Sequence, residues 1–170
     1  PWYTFGMAES FLTISSIVNA EPYLAKTLER YPSHERAIAE LAAIWRFNGR
    51  AAEGERLLAR LAPRSVWVQY SERMLSAYFE DSGRHPEAVA AMERAFAAGE
   101  TNSRARVLLA DWYLGEGKYA AALPQYEAAV RAGWDAPSEW KKLGFSRQQT
   151  GDHAGAVDAY QRSLKQDPQQ

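Results

Sequence analysis

The side chains able to do chemistry are few, and their spacing argues against it. Histidine occurs at His34, His85 and His153 only. No two of these form a close i, i+4 pair of metal ligands, and none sits near a plausible nucleophile in sequence. His85 and His153 each follow a glycine by two residues, Gly83 and Gly151, and read as equivalent surface positions. Glu80 and Asp81 offer two carboxylates for acid–base work, but adjacent residues diverge on a helix, so they read as solvated charge at a helix end. Leu114-Gly115-Glu116-Gly117-Lys118 carries two glycines of a phosphate-binding loop without the preceding strand or the full glycine pattern, which leaves a turn between helices. The chain has no cysteine, which removes disulfides, thiolate metal sites and thiol nucleophiles together. No catalytic residue, metal or other cofactor is expected.

Charge and hydropathy narrow the partners. The formal net charge is −1 and the pI is near 6.4, so the broad basic field that nucleic-acid binding draws on is missing. The same balance disfavours a helical repeat that reads RNA. The longest apolar stretch, Phe11 to Val18, is broken by Thr13, Ser15 and Ser16 and falls short of the roughly 20 residues of a membrane span. The 6 Trp and 9 Tyr could stack on sugars or bases. Tyr113, Tyr126 and Tyr160 fall at core phases of the helices described next, however, and most of the aromatics read as packing.

The elements that would position any site are helices. Ala supplies 30 of the 170 residues while Val, Ile and Thr together supply 16, which favours helix over strand. Gly49, Gly83, Gly117 and Gly151 recur every 34 residues. Four further columns keep the same period: Leu41, Leu75, Leu109 and Leu143; then the small Ala42, Ser76, Ala110 and Gly144; then Gly54, Ala88, Ala122 and Ala156; then Leu58, Met92, Tyr126 and Tyr160. A looser column follows at Leu61, Ala95, Ala129 and Ser163. Apolar residues fall at helical spacing on both sides of each glycine, so each period holds two antiparallel helices joined by a tight turn. Glycine suits the left-handed conformation that often ends a helix, and small residues let two helices cross closely. Ser65, Asn102 and Asp135 are expected to cap first helices, and Pro86 fits the first turn of a second helix. Pro124 is placed late in an opening turn, where a missing N–H is tolerable.

These columns resemble the tetratricopeptide repeat. The last unit carries the fullest set, Trp140, Leu143, Gly144, Gly151, Asp152, Ala156, Tyr160, Asp167 and Pro168. Repeats are set at 35–68, 69–102, 103–136 and 137–170. Residues 1–34 form a degenerate first repeat, keeping the phase at Met7, Ala8, Phe11, Ala20, Leu24 and Pro32, with Ser15 at the turn and a second helix from Asn19 to Arg30. Ser163, Arg147 and Gly54 depart from the family pattern and are expected to lower local stability. The resemblance implies an all-α solenoid of antiparallel helix pairs, a right-handed superhelix whose first helices line a concave groove, and a binding rather than a catalytic role.

On that family geometry the inward positions are Arg36, Ala39, Ala43, Arg46 and Phe47 in the second unit, and Tyr70, Arg73, Ala77, Glu80 and Asp81 in the third. Arg104, Val107, Asp111 and Leu114 follow in the fourth, then Ser138, Lys141, Lys142, Phe145, Gln148 and Gln149 in the fifth. The charged members are Arg36, Arg46, Arg73, Arg104, Lys141 and Lys142 against Glu80, Asp81 and Asp111, so the groove leans positive and an acidic protein segment is its complement. Asn19, Asn48 and Asn102 stand off these positions, which disfavours the clamp of Lys and Asn that one subfamily closes on a terminal carboxylate.

The function expected from the resemblance is a bacterial-type scaffold that binds a protein segment in its groove. The alternative is a periplasmic accessory domain of an exopolysaccharide synthesis or export system, recruiting a modifying enzyme or touching polymer. The lack of cysteine fits cytosol and periplasm alike. The start at Pro1, without Met and without a basic stretch followed by an apolar one, leads to the expectation of a processed or excised piece. Val157 and Leu164 on the last helix would meet a following repeat, as Val89 and Phe96 do earlier, so this face is expected to take a further helix or a second copy.

Overall fold

The computed structural model describes residues 17–134 and 136–168, and all regular structure in them is helical. The helices are α1 (Ile17–Arg30), α2 (Glu35–Phe47), α3 (Ala51–Leu58), α4 (Val66–Asp81), α5 (His85–Ala97), α6 (Ser103–Gly115), α7 (Tyr119–Arg131), α8 (Pro137–Gln149) and α9 (His153–Gln166). They group into two compact units, Pro1–Glu100 and Thr101–Gln170. In the first, α2 packs on α3, α4 on α5, and α2 also on α1 and α4; in the second, α6 packs on α7, α8 on α9, and α7 on α8. None of the described helices is long and apolar enough to cross a membrane.

Each pair turns back at its glycine. Gly49, Gly83, Gly117 and Gly151 have φ of 84°, 74°, 72° and 88°, the left-handed region where a Cβ is costly. The turn then closes on the helix end: Gly49 N–H donates to the Arg46 carbonyl and Arg50 N–H to that of Trp45, and the other three turns repeat the pattern. Gly99 and Gly133 do the same at the ends of α5 and α7, with φ of 105° and 88°. They are 34 apart, a column not read from the sequence because only two repeats carry it.

The small columns sit at the crossings. Ala42, Ser76, Ala110, Ala88 and Ala122 are fully buried. A Cβ on Gly144 would stand 2.8 Å from the Tyr160 ring, so the large residue of one column fills the space left by the small one in the other. Ser76 gives its hydroxyl proton to the Ala88 carbonyl at 2.8 Å, which satisfies a polar group inside the crossing.

Several local expectations change. Gly54 is not a weak substitute for alanine: a Cβ there would lie 2.5 Å from Arg46 Cγ and 2.7 Å from the Ala42 carbonyl oxygen. Ser163 donates to the Pro137 carbonyl at 2.7 Å, and Arg147 bonds the Gly155 carbonyl and Glu127. Both therefore make bonds that the usual apolar residue lacks. Pro124 lies in the second turn of α7 rather than the first. The bond it forfeits is to Ala120, whose exposed position leaves that carbonyl to water. Pro22 occupies the same register in α1.

Caps form at Ser65, which accepts from Trp67 N–H, and at Asn102, which accepts from Ala105 N–H. His34 Nδ1 and Asp152 cap α2 and α9 in the same way. Asp135 lies outside the described residues, and Ala136 holds the cap position of α8. Met7, Ala8, Phe11 and Ser15 lie outside them too. Helix α1 buries Ala20 and Leu24 completely and is tied to its neighbours by Glu21, which accepts from the Trp45 indole and from Arg50.

Candidate functional site

The first helices α2, α4, α6 and α8 carry the residues expected to face inward. In the first unit these residues satisfy one another. Arg36 donates to Glu40 Oε1 at 2.9 Å and Tyr70 donates its hydroxyl to the same oxygen at 3.1 Å. The Arg36 and Arg73 guanidinium carbons lie 5.9 and 5.8 Å from the centroid of the Tyr70 ring, which places this one ring within cation–π range of both. Arg73 in turn pairs with Glu100 at 2.5 Å. Glu40 and Glu100 are buried. Burial first and the Glu40 charge second push the Tyr70 phenol upward.

Arg46 does not belong to an inward face. It is buried, holding Glu72 with both terminal nitrogens at 2.5 and 3.2 Å and Glu55 at 3.0 Å. Arg94 reaches Glu72 as well, at 3.0 Å. An arginine stem long enough to cross from α2 to α4 turns away from the surface when a buried carboxylate awaits it. Phe47 is also taken up in packing, 5.8 Å from Tyr78 and 5.6 Å from Phe79 between ring centroids. Ala39 and Ala43 are fully buried, whereas Ala77 is exposed. The positive lean expected of these positions is thus absent from the first unit, where Arg36, Arg46 and Arg73 each face a carboxylate. Glu40, Glu72 and Glu100 escaped the sequence reading because they stand off the positions assigned to the groove.

Glu80 Oε2 accepts from His85 Nδ1 at 2.8 Å across the turn, which accounts for both the carboxylate and the histidine. His153 is exposed at the start of α9. Among the described residues no three of His, Asp or Glu gather to hold a metal. Tyr78 has its hydroxyl buried without a hydrogen-bond partner, and burial, with the Glu40 charge behind it, drives its phenol far above the ordinary range.

The second unit is less self-contained. Asp111 accepts from the Tyr126 hydroxyl at 2.5 Å and pairs with Lys142 at 2.8 Å. Tyr126 is completely buried, and burial first, then the Asp111 bond, push its phenol up strongly. Arg104 and Lys141 are exposed and make no ion pair among the described residues. Phe145 is 39% exposed and touches Tyr119 edge-on at 5.6 Å. Gln148 is exposed and accepts from the Tyr160 hydroxyl at 3.0 Å. Leu108, a position the sequence reading passed over, is 42% exposed. At the end of this unit Val157 and Leu164 are 54% and 48% exposed, while Val89 of the first unit is buried. Lys141, Gln148, Tyr160, Ser163 and Leu164 line a cavity of about 310 Å³ there.

The family model for the tetratricopeptide repeat matches residues 74–137. Comparison with curated proteins finds no match. Among solved structures, a MamA protein superimposes with a TM-score of 0.60 at 17% identity over 98% of this chain and 91% of that one. A fragment of MamA from Desulfovibrio magneticus RS-1 gives 0.55 at 17%, over 81% and 78%. YrrB, described as a TPR protein with an unusual peptide-binding site, gives 0.56 at 15%, over 97% and 85%. At these identities the likeness is one of fold, and it agrees with the all-α stack of helix pairs.

Proposed function

We propose that this chain of tetratricopeptide repeats is a non-catalytic scaffold that binds a segment of a partner protein along its first helices. The observation that carries the reading is the uneven use of polar and aromatic side chains. The columns at the helix crossings are sealed, whereas Lys141, Phe145 and Gln148 on α8 stay exposed, and Lys141 makes no ion pair among the described residues. Exposed aromatic and charged groups on a rigid helical frame are suited to recognition. The peptide-binding site named for YrrB supports the same role by likeness of fold.

A photo-crosslinking side chain at Gln148, compared with one at Gln161 on α9, tests this in the native host. The expected result is crosslinking at position 148 to one segment that mass spectrometry maps to a single partner. Equal yields at the two positions, or crosslinks scattered over many unrelated sequences, would refute it.

A further inference from the structure

We infer that the solvent side of α9 is a contact between two copies of this chain, which meet through Val157 and Leu164 in an antiparallel pair. This is separate from the segment-binding role proposed above. Helix α9 buries Ala156, Ala159 and Ser163, while Val157 and Leu164 are 54% and 48% exposed. These two are seven residues apart and so lie two turns apart on one stripe of the helix. Helix α7 carries the same stripe as Leu123 and Val130. There α8 packs on α7, and Val130 lines one cavity together with Trp140 and Leu143 of α8. An aliphatic stripe at this phase is thus a helix-packing surface in this unit, and in α9 it stays open among the described residues.

The charges beside the stripe say what fits it. Asp158 follows Val157 and Lys165 follows Leu164, and both are exposed. A two-fold axis at right angles to α9 sets Val157 of one copy against Leu164 of the other, and Asp158 against Lys165, twice in each pair. A parallel pair would set Asp158 against Asp158. The face is therefore its own complement in one orientation only. Asp158 accepts from Arg162 through Oδ2 at 3.1 Å on its own helix, an exposed pair of small worth that leaves Oδ1 for a second cation. Lys165 makes no ion pair among the described residues. On α7 the corresponding neighbours are Pro124 and Arg131, and on α5, beside Val89 and Phe96, they are Ala90 and Ala97. The acid and base border the stripe only on the helix where it is open. One helix pair makes a small interface, below about 1,200 Å² in total, so the association is expected to be weak and reversible.

Sedimentation of the whole 170-residue chain over a concentration series reads it. A monomer–dimer equilibrium is expected, and Leu164→Glu should leave only monomer with its helicity unchanged. Asp158→Lys and Lys165→Asp should each weaken self-association by about tenfold or more, because each sets like charges opposite one another twice. Mixed in equal amounts, these two variants should pair with each other as tightly as the parent chain pairs with itself, which also shows that both are folded. The chain has no cysteine, so Val157→Cys and Leu164→Cys proteins mixed under oxidising conditions should form a disulfide-linked pair that neither forms alone.

A parent chain that stays monomeric at every concentration overturns the inference in favour of a different occupant for this face. Self-association that survives Leu164→Glu, or charge variants no tighter in mixture than alone, overturns it as well. A disulfide formed by Leu164→Cys alone overturns the antiparallel order. Where two copies meet here, a crosslinker at position 161 returns this chain's own sequence and not that of a partner segment, so the two readings fail separately.

Discussion

Gly54→Ala should destabilise this protein although it improves the helix it sits in. Alanine in a helix interior is worth about 0.5–1 kcal/mol over glycine. Against that, the new methyl would stand 2.5 Å from Arg46 Cγ and 2.7 Å from the Ala42 carbonyl oxygen, where unstrained heavy-atom contacts lie at about 3.5–4.0 Å. Neither neighbour is a loose end. The carbonyl is backbone of α2, and the arginine stem is fastened beyond Cγ by Glu72 at 2.5 Å and Glu55 at 3.0 Å. Relief of roughly 1 Å must come from moving α3 off α2, and overpacking of this kind costs about 1–3 kcal/mol. The net loss is then ~1 kcal/mol, or a fall of about 2–4 °C in Tm for a chain of this size. Thermal and urea unfolding followed by circular dichroism would measure it. The same substitution made in an Arg46→Ala background should cost less, since the stem is gone, and the difference between the two costs isolates the clash. A Gly54→Ala protein with a higher midpoint than the parent would refute the reasoning.

Ala122 is fully buried at the crossing of α6 and α7, so Ala122→Leu should cost roughly 1–3 kcal/mol by overpacking; an unchanged urea midpoint would show that the small columns do not set the helix spacing. Tyr78 and Tyr126 hold their protons far more firmly than the ordinary phenol at 10.0, with burial the leading cause in each. The unfolded chain loses these protons first as pH rises, so the stability they contribute is complete below about pH 10 and falls above it. Tyr78→Phe with Tyr126→Phe should flatten that alkaline decline in pH-dependent urea midpoints, and an equally steep decline would exclude these two phenols as its source.

The sequence by itself determined the period, the helix pairs and the turns. A 34-residue spacing of Gly49, Gly83, Gly117 and Gly151 is a backbone statement, because only glycine adopts their positive φ without penalty. The small columns are equally local in meaning: periodicity fixes where each Cβ points, and a small Cβ group at a recurring phase marks a close crossing.

What the tertiary structure decided was the fate of the long polar side chains. Arg46, Arg73 and Lys142 occupy phases that read as groove positions, yet their partners Glu72, Glu100 and Asp111 stand 26, 27 and 31 residues away in sequence. Several rotatable bonds separate a guanidinium or ammonium from its Cβ, so phase alone places the stem and not the charge. Gly54 belongs to the same class, since nothing in its own helix shows that the Arg46 stem crosses above it. Arg104 and Lys141 share their phases with Arg36 and Arg73. Which of the four meets a carboxylate is settled only in three dimensions: Arg36 and Arg73 reach Glu40 and Glu100, whereas Arg104 and Lys141 make no ion pair among the described residues.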